Sequence, residues 1–277
     1  MSKATTSHRC LNCGTPLKAD NEQVSAKCPN CHALINIMNA PLDYTKGGGQ
    51  DVPSSEKSLQ RLENSRNRFR IIESHLRSHQ NFIDIGCGSG EMLTAAQDLF
   101  SRTIGFDRNE ALVAHCLSKG LEVHDQFFSK ETFKKLEIVG KTVFSVCHVI
   151  EHLENPSEFL RTITSCMESG DLLYVEVPLY EGISFAEERF SWSLWYEEHL
   201  QLFSMRALSL ITAIDGFSTL DKGHRTFISE NRPRKILKKL FRHPLWGTYR
   251  LITKKRYQNL ADAILRDYGF VLIKRND

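Results

Sequence analysis

The sequence predicts an α/β protein: a doubly wound, mostly parallel sheet preceded by a small cysteine-bearing module. Three observations lead there. Four cysteines, Cys10, Cys13, Cys28 and Cys31, form two tight pairs near the N-terminus. A buried-strand pattern runs into a glycine-rich turn and a helix in "NFIDIGCGSGEML". Downstream, short apolar runs alternate with helical patterns, the rhythm of parallel sheets. The 277 residues are 41% hydrophobic and 25% charged, enough for one large globular domain and a small one. No apolar run approaches the roughly 18 residues of a membrane span. The start, "MSKATTSHRC", has no apolar signal-like stretch, so a cytoplasmic protein is expected.

The cysteines read C-x2-C-x14-C-x2-C. Each pair can close a turn on one ion, and four thiolates suit tetrahedral zinc in a closed, structural site. The pattern resembles a zinc ribbon over about residues 8–37, placing a first domain at 1–38. Cys87, Cys116, Cys147 and Cys166 lie scattered in apolar surroundings and read as small core residues. Residues 39–58, with three consecutive glycines and two prolines, form a linker. Ser55 or Ser58 is the expected cap of a helix carrying Leu59, Leu62, Phe69, Ile72 and Leu76 at helical spacing. Arg61, Arg66, Arg68 and Arg70 fall on its other face. They read as a solvated face, or else as contacts to substrate or to the cysteine module.

Phe82–Ile85 is the first strand, Gly86, Gly88 and Gly90 the turn, and Glu91–Phe100 a helix. Glycines let a backbone turn sharply and approach a ligand closely. Asp84 ends the strand, and Asp107 ends a second apolar run, "TIGFD". An acid there can accept both ribose hydroxyls of an adenosine cofactor. The G-x-G-x-G spacing departs from that of pyrophosphate binders. Asp125 follows a third strand in "LEVHDQF", and Val143–Cys147 is the fourth. Pro156 or Ser157 opens a helix that Gly170 ends. Leu172–Val177 is the fifth strand, Ser204 caps "MRALSLITAI", and "FSTLDKG" and "GFVLIK" supply the last strands. Ligands in such sheets bind beyond the C-terminal strand ends.

In this order, "FIDIGCGSGEML", "IGFDRN", "VFSVCHVIEHLENPSEFLRTI" and "DLLYVEVP" resemble a class I S-adenosylmethionine-dependent methyltransferase. The resemblance covers about residues 59–229 and the final strand, with the domain as a whole spanning 59–277. It implies a Rossmann-like, seven-stranded sheet. It also implies that Gly86, Gly88 and Gly90 wrap the amino-acid end of S-adenosylmethionine. Asp84 would orient the amino group, directly or through water, Asp107 would hold the ribose, and Asp125 would contact adenine.

At the end of the fourth strand stands "CHVIEHLENP". In helical register His148, Glu151 and His152 share nearly one face. Three bland roles are open: Glu151 capping the turn, His148 packing on the cofactor, His152 bonding a carbonyl. Two functional roles compete with them. One histidine can serve as general base for an acceptor hydroxyl or amine. Alternatively, His148, Glu151 and His152 hold a second divalent metal that polarises the acceptor. "HVIEH" resembles the E-x-x-E-H segment of metal-dependent O-methyltransferases of small-RNA 3′ ends and of ubiquinone biosynthesis, with His148 replacing the first glutamate. That set fits Zn²⁺, Mn²⁺ or Fe²⁺ better than Mg²⁺. His199, in "EHLQLFS", is the further member, since that stretch resembles one in methyltransferases of small-molecule and sugar biosynthesis. Around it, Tyr180, Phe185, Phe190, Trp192, Trp195, Tyr196 and Phe203 read as an aromatic lid over the acceptor or a plug over the sheet edge.

The net charge of +3 conceals an asymmetry: residues 231–277 hold 13 Lys and Arg against 3 Asp. Within 231–257 there are ten basic residues and no acid. This fits a solubilising surface, peripheral contact with the inner face of a membrane, or nucleic-acid phosphates. The resemblance, with a "GGGQ" segment like that of methyltransferases of cell-surface carbohydrate pathways, implies a hydroxyl acceptor on a sugar, glycolipid or small metabolite. The alternatives are an RNA methyltransferase gripping through ribbon and basic arm, and a non-catalytic zinc-ribbon adaptor that keeps the cofactor fold.

Overall fold

A computed structural model describes residues 7–18, 25–37, 51–182, 185, 198–225 and 267–277. The chain opens with four three-residue strands, β1 (Ser7–Arg9), β2 (Pro16–Lys18), β3 (Ser25–Lys27) and β4 (Leu34–Asn36). β1 pairs with β2 and β3 with β4, all antiparallel. Each pair carries two of the cysteines in its turn, so the cysteine pairs face each other.

Helix α1 (Ser55–Leu76) is capped by Ser54, whose hydroxyl accepts from Lys57 N at 3.5 Å. The expected caps, Ser55 and Ser58, lie inside the helix; Ser58 instead donates to Glu91 Oε1 at 2.9 Å. Phe69, Ile72 and Leu76 face the core, where the Phe69, Phe82 and Phe100 rings pack with centroids 5.2 to 5.9 Å apart. The arginine face is not uniformly solvated. Arg68 is buried and ion-paired across the fold, whereas Arg66 and Arg70 are exposed partners of Glu63.

The sheet is built from β5 (Asn81–Ile85), β6 (Arg102–Asp107), β7 (Glu122–Asp125), β8 (Thr142–Cys147), β9 (Leu172–Pro178), β11 (Phe217–Arg225) and β12 (Tyr268–Arg275). Its spatial order is β11-β12-β9-β8-β5-β6-β7. The central five strands run parallel, and β12 lies antiparallel between β9 and β11. The expected mostly parallel, seven-stranded sheet is therefore present. β5 and β9 are buried along their whole length, as strands covered on both faces must be. The chain winds from β5 towards β6 and β7 on one side, then returns to β8 and β9 on the other. That reversal opens a crevice at the carboxyl ends of β5, β6 and β8.

The connecting helices are α2 (Glu91–Ala96), α3 (Glu110–Ser118), α4 (Lys130–Lys134), α5 (Pro156–Thr164) and α6 (Met205–Ile211). α2 stops before the expected Phe100 because Leu99 N bonds Ala96 O, tightening the last turn. Pro156 opens α5, and the Ser204 side chain caps α6. A two-residue strand, β10 (Gln201–Leu202), leaves the main sheet and pairs with β4 of the cysteine module. Cys28, Cys31 and Ile35 accordingly share one apolar cluster with Leu179, Phe203 and Leu208. Among the described residues no helix is long and apolar enough to cross a membrane. The basic stretch 231–257 and the rings of Phe190, Trp192, Trp195 and Tyr196 lie outside the described residues.

Candidate functional site

A cavity of about 250 Å³ fills the crevice. Its three sides follow from three strand ends. The turn after β5 contributes Gly86 and Gly88, the end of β6 contributes Asp107 to Asn109, and the end of β8 contributes Cys147 to Val149. Gly86 has φ +79°, and a Cβ there would lie 2.4 Å from Val149 Cγ2. A side chain would thus collide with the wall that carries His148. At Gly88, also left-handed, a Cβ would meet nothing within 4 Å, so its face is open to the cavity. Gly90 is not on the wall; it packs against Cys116 and Leu121.

Asp107 is the anchor of this turn. Its Oδ2 accepts from Gly88 N at 2.7 Å and its Oδ1 from Asn109 N at 2.9 Å. A carboxylate has about four acceptor positions, so capacity remains for two hydroxyls of a ligand. Asp84 stands behind the turn, 3% exposed and off the cavity wall, and accepts from the Ser145 hydroxyl. Burial lifts its pKa to about 6, against the lowering effect of Ser145 and Arg68. Asp125 is drawn away by Arg108, whose Nη1 donates to its Oδ1 at 2.8 Å. Gln126, Phe127 and Phe128 line that end instead. The run "DQFF" holds the signal for them, because Phe127 is an exposed ring lying 5.4 Å from the Arg108 guanidinium.

The opposite end carries the histidines. His148 has φ +58° and precedes a short 3₁₀ turn, Ile150–His152. It therefore leaves the helical register assumed for His148, Glu151 and His152. His148 Nδ1 lies 3.5 Å from Glu151 Oε1, and its Nε2 lies 3.3 Å from Glu176 Oε1. Burial favours the neutral ring, but the Glu151 and Glu176 carboxylates overcome it and raise the His148 pKa. Glu176 is itself gripped by Arg68 at 2.6 Å, Arg225 at 2.8 Å and the Tyr174 hydroxyl at 2.6 Å. Despite burial, the arginines hold Glu176 far below the usual carboxylate range.

His152 lines the cavity, and its Nδ1 lies 3.1 Å from Glu198 O. A carbonyl only accepts, so Nδ1 carries the proton in the neutral ring and Nε2 holds the lone pair. His199 is 4% exposed, sits behind His152 with ring centroids 4.5 Å apart, and is not on the cavity wall. Glu151 is completely buried, and beyond the 3.5 Å approach of His148 Nδ1 its carboxylate oxygens make no hydrogen bond among the described residues. Burial opposes its charge, yet His148, His152 and His199 keep its pKa lowered.

Among the described residues, two groups of ligand atoms lie within 4.8 Å of one another: the four N-terminal cysteines, and Glu151 with His152 and His199. The sulfurs of Cys10 and Cys31 are 3.4 Å apart, those of Cys13 and Cys28 3.6 Å. Zinc–sulfur bonds of about 2.3 Å put tetrahedral sulfurs about 3.8 Å apart, so this cluster fits the ion. In the second group His199 takes the place that the spacing had given to His148, which turns to Glu176. The sequence named His199 as a further member of this cluster through the "EHLQLFS" resemblance, but not as the partner that replaces His148.

A family model described as a methyltransferase domain matches residues 57–222. A crystal structure of an S-adenosylmethionine-dependent methyltransferase from Archaeoglobus fulgidus is 19% identical, with a TM-score of 0.53 over 78% of this chain and 94% of that one. The plantazolicin methyltransferase BpumL, solved with a monoazolic desmethylPZN analog and SAH, is 16% identical, with a TM-score of 0.51 over 80% and 86%. Pavine N-methyltransferase from Thalictrum flavum subsp. glaucum is 24% identical over 133 residues, 46% of this chain but only 37% of that protein's length. The structural likenesses establish the fold, and the family match spans more than half of the chain. The chain belongs to the methyltransferase-domain family.

Proposed function

We propose that this protein transfers a methyl group from S-adenosylmethionine to a hydroxyl of a sugar, glycolipid or small metabolite. One observation carries the reading: a single cavity joins the Gly86–Gly88 turn and Asp107 at one end to His148 and His152 at the other. Asp107 and the open face of Gly88 would hold the nucleoside and amino-acid portions of the cofactor, with Gln126 and Phe127 beside the base. When bound, the cofactor would supply a methyl carbon made electrophilic by its sulfonium, with the neutral thioether as the leaving group.

The chain's own residues manage the proton and the positioning. His152 Nε2 takes the proton from the acceptor hydroxyl. The adjacent Glu151 carboxylate stabilises the imidazolium that forms. His148, whose raised pKa favours a bound proton, donates a hydrogen bond rather than acting as base. Apolar Leu153 and Phe159 on the same wall exclude water. An amine acceptor needs this base less, because its lone pair can attack directly once it is unprotonated.

A second reading is favoured by Glu151, whose buried carboxylate lies within 4.8 Å of ring nitrogens of His152 and His199. Glu151, His152 and His199 would hold a divalent Zn²⁺, Mn²⁺ or Fe²⁺, which would polarise the acceptor oxygen. At the cysteine cluster we assign structural zinc. The basic stretch 231–257 leaves membrane contact and RNA as further partners.

The test is methyl transfer by the full chain from labelled S-adenosylmethionine to panels of nucleotide sugars, glycolipids and tRNA. The reading expects product on a hydroxyl and loss of turnover in His152→Gln with S-adenosylhomocysteine affinity kept. Labelling of RNA alone would transfer the assignment to the RNA reading. Failure of the wild type to bind S-adenosylhomocysteine would overturn it.

A further inference from the structure

We infer that the cysteine module is a positioning clamp on the reaction site, with Asn36 as the residue that transmits its hold to His199, Glu151 and His152. The inference rests on the methyl-transfer reading of that site. Strand β10 has only two residues, too few to keep its own geometry. It is held from both sides. On one side Gln201 and Leu202 pair with Ile35 and Leu34 of the module. On the other, Leu200 N donates to Glu151 O at 3.0 Å, and Gln201 Nε2 to Ile150 O at 3.4 Å.

Asn36 closes this arrangement. Its backbone N–H donates to Leu200 O at 2.9 Å, and its Nδ2 donates to His199 O at 3.3 Å. Leu200 thus receives the module through its carbonyl and passes the constraint to Glu151 through its amide. The Asn36 side chain is nearly buried, so losing its bond leaves a polar group without compensation from water.

The module is tied down in turn by carbonyls of the second cysteine loop. Ser204 Oγ donates to Cys31 O at 3.0 Å, Arg206 Nε to Asn30 O at 2.9 Å, and the Tyr180 hydroxyl to His32 O at 2.5 Å. His32 is left-handed at φ +64°, and its backbone N–H donates to Cys28 O at 3.1 Å, closing the loop between Cys28 and Cys31. A metal there would fix those three carbonyls, and through them β4 and β10. Among the described residues, no hydrogen bond from the module reaches Gly86, Gly88 or Asp107. The clamp therefore acts on the acceptor end and spares the cofactor end, a split that general stabilisation would not produce.

The experiment uses the full chain in three forms: wild type, Asn36→Ala, and wild type stripped of zinc by a chelator and then recharged. Hydrogen exchange of the 198–203 peptide should speed up at least about tenfold in Asn36→Ala and after stripping, and recover on recharging with Zn²⁺. The ring nitrogen resonances of His152 and His199 should shift in parallel. Affinity for S-adenosylhomocysteine should stay within about twofold, and Asn36→Ala should retain its zinc. Unchanged exchange at 198–203 and unmoved histidine resonances in both perturbed forms would overturn the clamp. So would an equal loss of nucleoside affinity, which would make the module a general stabiliser. Wild type that fails to bind S-adenosylhomocysteine would instead sink the methyl-transfer reading, leaving the exchange result to judge the clamp.

Discussion

Glu176→Gln tests the energetics beneath the site. Glu176 is 1% exposed and pairs with Arg68, 7% exposed, and Arg225, 5% exposed. The substitution keeps shape and an acceptor oxygen but deletes the negative charge that pairs with both buried guanidiniums. Leaving buried charge uncompensated costs about 3–5 kcal/mol. Each kcal/mol moves the melting temperature of a domain this size by about 2–4 °C, so a fall of about 6–20 °C is expected. Scanning calorimetry measures it, with urea denaturation checking that the slope is unchanged. Glu63→Gln is the control: Glu63 also meets two arginines, Arg66 and Arg70, but all are about half exposed, where a pair contributes about 0–1 kcal/mol. In an Arg68→Met background the Glu176 change should cost less than alone. A Glu176→Gln protein that melts within about 2 °C of wild type, like the control, refutes the reasoning.

Asp107→Asn should weaken S-adenosylhomocysteine binding about 10- to 100-fold by calorimetry, the equivalent of one charge-assisted hydrogen bond of about 1.5–3 kcal/mol. Gly86→Ala places a Cβ 2.4 Å from Val149 Cγ2 in a left-handed backbone; it should cost about 1–3 kcal/mol and remove nucleoside binding in the same calorimeter. His148 has a folded pKa above its unfolded value, so its contribution to stability is complete below about pH 6.5 and is lost as pH rises through the folded pKa. Denaturation midpoints of wild type and His148→Gln should therefore converge on going from pH 6 to pH 9, and a constant gap would exclude the linkage. Glu151 has the opposite sign: with its pKa lowered, its contribution disappears as pH falls below about 4.5.

That Gly86, Gly88 and Asp107 line one cavity was legible because the information is local. Strand, glycine turn and helix are contiguous, and Asp107 is placed by the end of the next strand. At Asp125 the strand-end position is visible in sequence, but its pairing with the Arg108 side chain is not. Arg68 illustrates a harder limit. Helical spacing cannot distinguish a solvated arginine from one buried against Glu176, which lies 108 residues away. The histidine cluster needed a left-handed turn at His148, a conformation rare for non-glycine residues, and this broke the helical register on which its grouping was read. β10 is too short to leave any alternation in sequence, so the docking of the cysteine module was hidden.

The apolar cluster shared by Cys28, Cys31 and Ile35 with Leu179, Phe203 and Leu208 makes the glycine-rich stretch a false seam. Scissors applied there would bare an oily flank on both fragments, and neither should survive in dilute solution alone.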